Sequence, residues 1–206
     1  MDRLVPSGCS RQSRAVPLIP EPVVPAGVWG ARVQPTLAAG SLVLRPWCAG
    51  DAPAVRAAYD DDASRTWHAR TMRDEDEARA WIDGKNAAWR EERAAEWAVV
   101  EEGAVVGRVA LSGLNLYEGG GALAYWVVPA ARGRRVAVRS GTEALRWAFE
   151  DLGLQRVEVE HSTRNPASCR VAELLGCRAE GVRRGHALHA DGHHDMHLHA
   201  RLRTDA

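Results

Sequence analysis

The chain has 206 residues, 46% of them apolar and 26% charged, which suits one sizeable domain with an extension or two small ones. Its 27 basic residues balance 27 acidic ones, so the strongly basic surface of a general nucleic-acid binder is missing. No apolar run approaches the roughly 18 residues of a membrane span, so neither a nucleic-acid nor a membrane partner is expected.

Residues 1–36 hold Pro6, Pro17, Pro20, Pro22, Pro25 and Pro35 with little periodicity, and read as a flexible or extended tail. No apolar stretch precedes Cys9, which excludes a signal peptide from this reading. The domain is expected over 37–206. LVLRPW (42–47) alternates and stops at Pro46, the mark of a first strand. Asp51 is placed to cap a helix running to about Tyr59. A second helix is expected over 74–93, with Ala78, Trp81, Ile82, Ala88 and Trp89 as its apolar stripe. Asp60 to Arg73 reads as a loop.

Residues 96–114 read as two strands around Glu102-Gly103, a hairpin signal. A third strand, ALAYWVV (122–128), ends at Pro129. It feeds a turn carrying Arg132, Arg134 and Arg135 that opens a helix over 135–152, with Arg139 in its first turn. Backbone N–H groups at such a helix N-terminus make a site for phosphate, so a polyanionic cofactor is expected. The bland alternative is a solvated arginine patch. Residues 155–161 form a short strand. Asn165 is a good N-cap and Pro166 suits the first helical position, with Gly176 as terminator. Two last strands lie around Ala190-Asp191-Gly192. The order, seven strands with helices between them, gives class α+β: a mixed sheet flanked by helices on both faces.

Cys9, Cys48, Cys169 and Cys177 lack C-x-x-C spacing, so reduced thiols and a cytoplasmic setting are expected. Residues 186–199 hold His186, His189, His193, His194, His197 and His199. His197 and His199 share a strand face and could chelate, but no H-E-x-x-H or Cys/His framework is present, and no metal is expected.

Taken together, LVLRPW, AYWVVPAARGRRVA (124–137), NPASCRVAELLGCRAEG (165–181) and DGHHDMHLHARL (191–202) carry a resemblance. Residues 42–203 resemble the GNAT superfamily of acyl-CoA N-acyltransferases, and within it the ribosomal-protein N-terminal alanine acetyltransferases. The resemblance implies the GNAT fold, with a mostly antiparallel sheet of about seven strands, and acetyl-CoA as acyl donor. It implies that Arg132, Gly133, Arg134, Arg135, Val136 and Ala137 hold the pyrophosphate. Arg135 stands where the family pattern has glycine; an arginine keeps the N–H donor if its φ is helical.

By the same resemblance, main-chain groups of Trp126, Val127 and Val128 pair with the pantetheine arm, on a strand that splays from its neighbour. Asn165 contacts that arm, and the Ser168 hydroxyl lies near the thioester sulfur, to donate a proton or hydrogen-bond to the departing thiolate. The null alternative for Asn165 and Ser168 is helix capping alone. The position of the glutamate base in some relatives falls on Ala187. His186, His189 and His161 are substitutes, and His189 shares the face of Ala187. Cys169 reads as a packed thiol, with an acyl-enzyme nucleophile as the alternative. The implied activity is transfer of an acyl group, acetyl or larger, to a primary amine on a protein N-terminus or a small molecule. A non-catalytic acyl-CoA sensor is the rival reading, and a histidine-rich metal module the third. A homodimer is compatible with the sequence.

Overall fold

The computed structural model describes residues 20–68 and 70–205. Eight strands form one sheet: β1 (Leu37–Ala39), β2 (Leu42–Arg45), β3 (Ala95–Glu101), β4 (Ala104–Asn115), β5 (Gly120–Val127), β6 (Arg156–Ser162), β7 (Arg178–His189) and β8 (Gly192–Leu202). Their spatial order is β1-β2-β3-β4-β5-β6-β8-β7. Every neighbouring pair is antiparallel except β5 with β6. The strand beyond the seven expected is β1, three residues that fold back on β2 with Leu37 opposite Leu44. The β3–β4 turn is the expected Glu102-Gly103, with φ of 50° and 81°, the positive pair that a two-residue hairpin of matching twist requires.

Five α-helices cover the two faces: α1 (Ala52–Asp60), α2 (Asp62–His68), α3 (Glu75–Arg90), α4 (Val136–Arg146) and α5 (Pro166–Leu174). Alternation along β3 shows how the core is built. Trp97 and Val99 join Val136, Leu145 and Trp147 on one face; Ala98 and Val100 join Val55, Trp81 and Ile82 on the other. The expected helix over 135–152 is α4 followed by a π-helical stretch, Trp147–Leu152, that ends at Gly153 with φ 88°.

Three expectations are corrected. The expected tail over 1–36 overlaps residues already packed on the domain, since Val24 and Trp29 are buried. Val24 N–H donates to Leu116 O (3.0 Å), and Trp29 meets Trp89 edge-on at 4.6 Å. The Glu92 carboxylate collects the N–H groups of Gly27, Trp29 and Gly30 at 2.6–2.8 Å. Single apolar residues among prolines carry no period, yet Val24 and Trp29 join the main core. The part of that tail over 1–19 lies outside the described residues. Asp51 does not cap α1 with its side chain; it makes a two-pronged pair with Arg45 (2.7 Å each) and accepts from Cys48 N–H (2.9 Å). Finally, the loop expected from Asp60 to Arg73 contains α2.

Candidate active site

The sheet comes apart where β5 and β6 meet. They pair only from Gly120 opposite Arg156 to Ala122 opposite Glu158. Beyond that, β5 stays on β4 while β6 stays on β8. The expected splay is therefore present, and it opens a cleft of about 540 Å³. Its walls include Tyr125, Trp126 and Val127 of β5, His161 of β6, the start of α4, Asn165 and Ser168 at the start of α5, Trp67 and His68 of α2, and His189 of β7.

The register decides which β5 groups face the opening. Val128 N–H donates to Val106 O (3.0 Å), so Val128 turns toward β4. Alternate residues of an antiparallel ladder share a direction, so Trp126 spends its main-chain groups on β4 as well. Tyr125 and Val127 are the residues whose N–H and C=O point into the split. Of the three residues expected to pair with the pantetheine arm, Val127 alone turns its main-chain groups to the split, while Trp126 and Val128 turn theirs to β4. Val127 O accepts from Arg132 Nε at 3.2 Å.

The α4 turn offers its N–H groups to the same cleft. The first helical bond runs from Arg139 N–H to Arg135 O (2.9 Å), leaving the N–H groups of Val136, Ala137 and Val138 without a helical acceptor. Gly133, Arg135, Val136, Ala137 and Arg132 line the cleft; Arg134 and Val128 do not. Gly133 has φ 76° and Arg135 has φ 57°, ψ 24°. The expected helical φ of Arg135 is corrected: glycine suits this position because the chain is left-handed there, a second reason besides close approach to an anion.

Each arginine of the turn except Arg135 is engaged. Arg132 pairs with Asp61, and Arg134 with Glu101. Arg139 holds Ala39 O (2.9 Å) and Ser41 Oγ (2.8 Å), away from the cleft. Burial works against the Asp61 carboxylate, but the Arg132 guanidinium and the Ser64 N–H hold it below the ordinary range.

Across the split, Asn165 Oδ1 accepts from Ser168 N–H (3.1 Å) and fixes the first turn of α5. Ser168 Oγ lies 2.7 Å from the Tyr125 hydroxyl, a partner not singled out in the sequence. Burial pushes that phenol up to about 12, so it stays protonated and is a donor at neutral pH. If Tyr125 donates to Ser168 Oγ, the serine proton is free for a group in the cleft. The period-two alternation that puts Tyr125 on the face of Val127, under α5, was the available signal.

His189 is buried. Its Nδ1 lies 3.0 Å from Thr66 O, an acceptor, so Nδ1 carries the proton; Nε2 keeps a lone pair and has no partner among the described residues. The ring stacks on His194 at 4.2 Å, which is held by Ser162 Oγ (2.8 Å) and Asp191 (2.7 Å). His161 also lines the cleft, with Nδ1 on Ser162 O (2.9 Å). The alternative base His186 is exposed and lies near Glu160 instead. Trp67 and His68 come from α2, within the Asp60–Arg73 segment; the loop-like composition DDDASR hid the helix. Burial, then the charges of Arg108 and His189, depress His68 to about 4, so it is neutral.

The family model described as an acetyltransferase (GNAT) domain matches residues 41–178. YdaF of Bacillus subtilis (strain 168), provisionally named a ribosomal N-acetyltransferase, is 26% identical over 111 residues, 53% of this chain and 60% of that protein. The chain thus spans about three-fifths of the length of this curated relative. Mycobacterium smegmatis RimJ, solved in complex with CoA-disulfide, superposes with a TM-score of 0.75 at 23% identity, over 84% of this chain and 89% of that one. An acetyltransferase from Salmonella typhimurium, described as modifying the N-terminal serine of 50S ribosomal subunit protein L7/L12, gives 0.75 at 15% identity, over 82% and 99%. These structures share the fold of this chain. By the match over 41–178, this chain belongs to the GNAT acetyltransferase family.

Proposed function

We propose that the protein transfers an acetyl group from acetyl-CoA to a primary amine at a protein N-terminus. The observation that carries this reading is the β5–β6 split, which opens beside the uncapped N–H groups of α4. The residues fit the donor. N–H groups of Val136, Ala137 and Val138 face the opening, Arg132 stands at its rim with its Nε on Val127 O, and main-chain groups of Tyr125 and Val127 turn into the split along one wall. A peptide-like pantetheine arm is what such an edge recognises. Acetyl-CoA supplies the thioester carbonyl that a neutral amine attacks.

The chain's own part is positioning and proton handling. His189 Nε2 accepts the amine proton, directly or through one water, while Thr66 O and the His194 ring hold the imidazole in place. The Ser168 hydroxyl hydrogen-bonds to the departing thiolate while its oxygen accepts from the Tyr125 hydroxyl, which keeps its proton. The α2 residues Ser64, Trp67 and His68 shape the acceptor side. The protein-terminus acceptor follows the names of YdaF and the Salmonella enzyme, and such an acceptor places the reaction in the cytoplasm.

The test is CoA release from acetyl-CoA with peptides beginning in Ser or Ala, beside spermidine and free amino acids. Turnover with the peptides supports the reading. Turnover with small amines alone removes the protein acceptor, and none with any amine removes the transferase. The rival reading, a non-catalytic acyl-CoA sensor, is not favoured, because the matching family model is an acetyltransferase domain. Turnover with any amine ends it.

A further inference from the structure

We propose that His161, Cys169, His197 and His199 form a closed site for one zinc-class divalent ion, pinning α5 to β6 and β8 beneath the cleft. Topology assembles the cluster. On the β6–β8 ladder His161 lies directly opposite His197, and Val159 opposite His199. Residues two apart on a strand share a face, so three imidazoles gather on one side of the sheet. Their ring centroids lie 4.3–5.5 Å apart. The first turn of α5 crosses this patch and brings Cys169 Sγ to 3.8 Å from His199 Nε2 and 3.9 Å from His197 Nδ1.

One donor atom from each of the four lies within 4.8 Å of all the others. A tetrahedral ion with bonds of about 2.0–2.3 Å sets its ligands about 3.3–3.8 Å apart. The His197–His199 edge is 3.3 Å and the two sulfur edges are near that range, so small rotamer shifts close the tetrahedron.

The outer hydrogen bonds aim the lone pairs. His161 Nδ1 meets Ser162 O at 2.9 Å and His199 Nδ1 meets Cys177 O at 3.4 Å; a carbonyl only accepts, so both rings carry the proton on Nδ1. Their Nε2 atoms are left as donors toward the cluster, the arrangement that orients metal-bound histidines. His161 Nε2 is moreover buried with no partner among the described residues, although the ring is only 5% exposed. An orphaned buried acceptor is costly, and a cation would relieve it. One thiolate and three imidazoles suit zinc or cobalt and not magnesium or calcium, which require oxygen ligands. Glu173 Oε1, 3.9 Å from the sulfur, adds a nearby negative charge. Binding releases the Cys169 thiol proton to solvent, and the proton between His197 and His199 moves to His197 Nε2, so all three rings ligate as neutral imidazoles. Four protein ligands leave no open position, so the ion is structural and stands apart from the transfer chemistry.

The test uses the full chain without an affinity tag, reduced and freed of metal, titrated with Co²⁺ and then Zn²⁺. The expected result is one Co²⁺ per chain, with strong visible bands of tetrahedral coordination and a near-ultraviolet thiolate-to-cobalt charge-transfer band. Zn²⁺ then displaces it one for one and raises the Tm. Cys169→Ser loses the charge-transfer band and at least ten-fold in affinity. His197→Gln loses a similar factor, with both variants keeping the metal-free circular dichroism of the wild type. His193→Gln, at an exposed histidine outside the cluster, changes nothing. A weak octahedral spectrum, a charge-transfer band that survives Cys169→Ser, or equal loss in His193→Gln would overturn the site. None of these readouts depends on acetyl-CoA, so the proposal stands or falls apart from the transferase reading.

Discussion

Arg135 shows how a motif's left-handed backbone can be kept while a side chain is added where the pattern has glycine. Its left-handed conformation disfavours any residue with a Cβ, by about 1 kcal/mol. Arg135→Gly is therefore expected to stabilise the fold by up to about 1 kcal/mol, a Tm rise of about 2–4 °C in thermal unfolding; a fall in Tm would show that the arginine side chain outweighs its strain. Tyr125 and Ser168 form the pair that chemistry at a leaving sulfur needs. Tyr125→Phe keeps the ring but removes the donor, so steady-state kinetics should show kcat about ten-fold lower with acetyl-CoA affinity unchanged. His68 links the cleft to pH. The unfolded chain takes up this proton near 6.5, whereas the folded chain resists until about 4. The unfolded state thus binds more protons between those values, and stability falls as pH drops through that window. The loss is of order roughly 3 kcal/mol. Urea unfolding at pH 7 and pH 4.5 measures it, and His68→Leu should flatten the dependence.

Among the elements, those with a strong period or clear punctuation were legible. The Glu102-Gly103 hairpin, the Asp74 cap of α3 and the Asn165-Pro166 start of α5 stand where their residues place them, because each rests on local backbone chemistry. Elements whose existence depends on distant partners were not legible. β1 is three residues long and is defined by its ladder with β2. α2 begins in three aspartates that resemble a solvated loop; Asp61 accepts from Ser64 N–H (3.0 Å) and so starts the helix. Of the cleft, the α4 and α5 motifs were readable, while the third wall came from that hidden helix. Residues 20–36 teach the same lesson. Trp29 packs against Trp89 and Trp147 with no periodicity to announce it. Trp29→Ala is expected to cost about 3–5 kcal/mol, read as a lower urea midpoint. A true tail would show no change.

At the scale of the whole molecule, one parallel strand pair in an otherwise antiparallel sheet makes the site. β5 and β6 reach the split from opposite halves of the sheet, and the crossover helix α4 brings its N-terminus to the mouth. α5 closes the far side, with Ser168 toward the cleft and Cys169 toward the histidines of β6 and β8. The Arg132–Asp61 pair ties the α4 turn to the residue just before α2. The central claim is that acetyl-CoA occupies this split with its phosphates at the α4 turn. The measurement that tests it most directly is calorimetric titration of wild type and Arg132→Ala with acetyl-CoA, free CoA and succinyl-CoA. One-to-one saturable binding of acetyl-CoA, about ten-fold weaker in the variant, is the expected result. Absence of binding by all three ligands, or an affinity indifferent to Arg132, would contradict it.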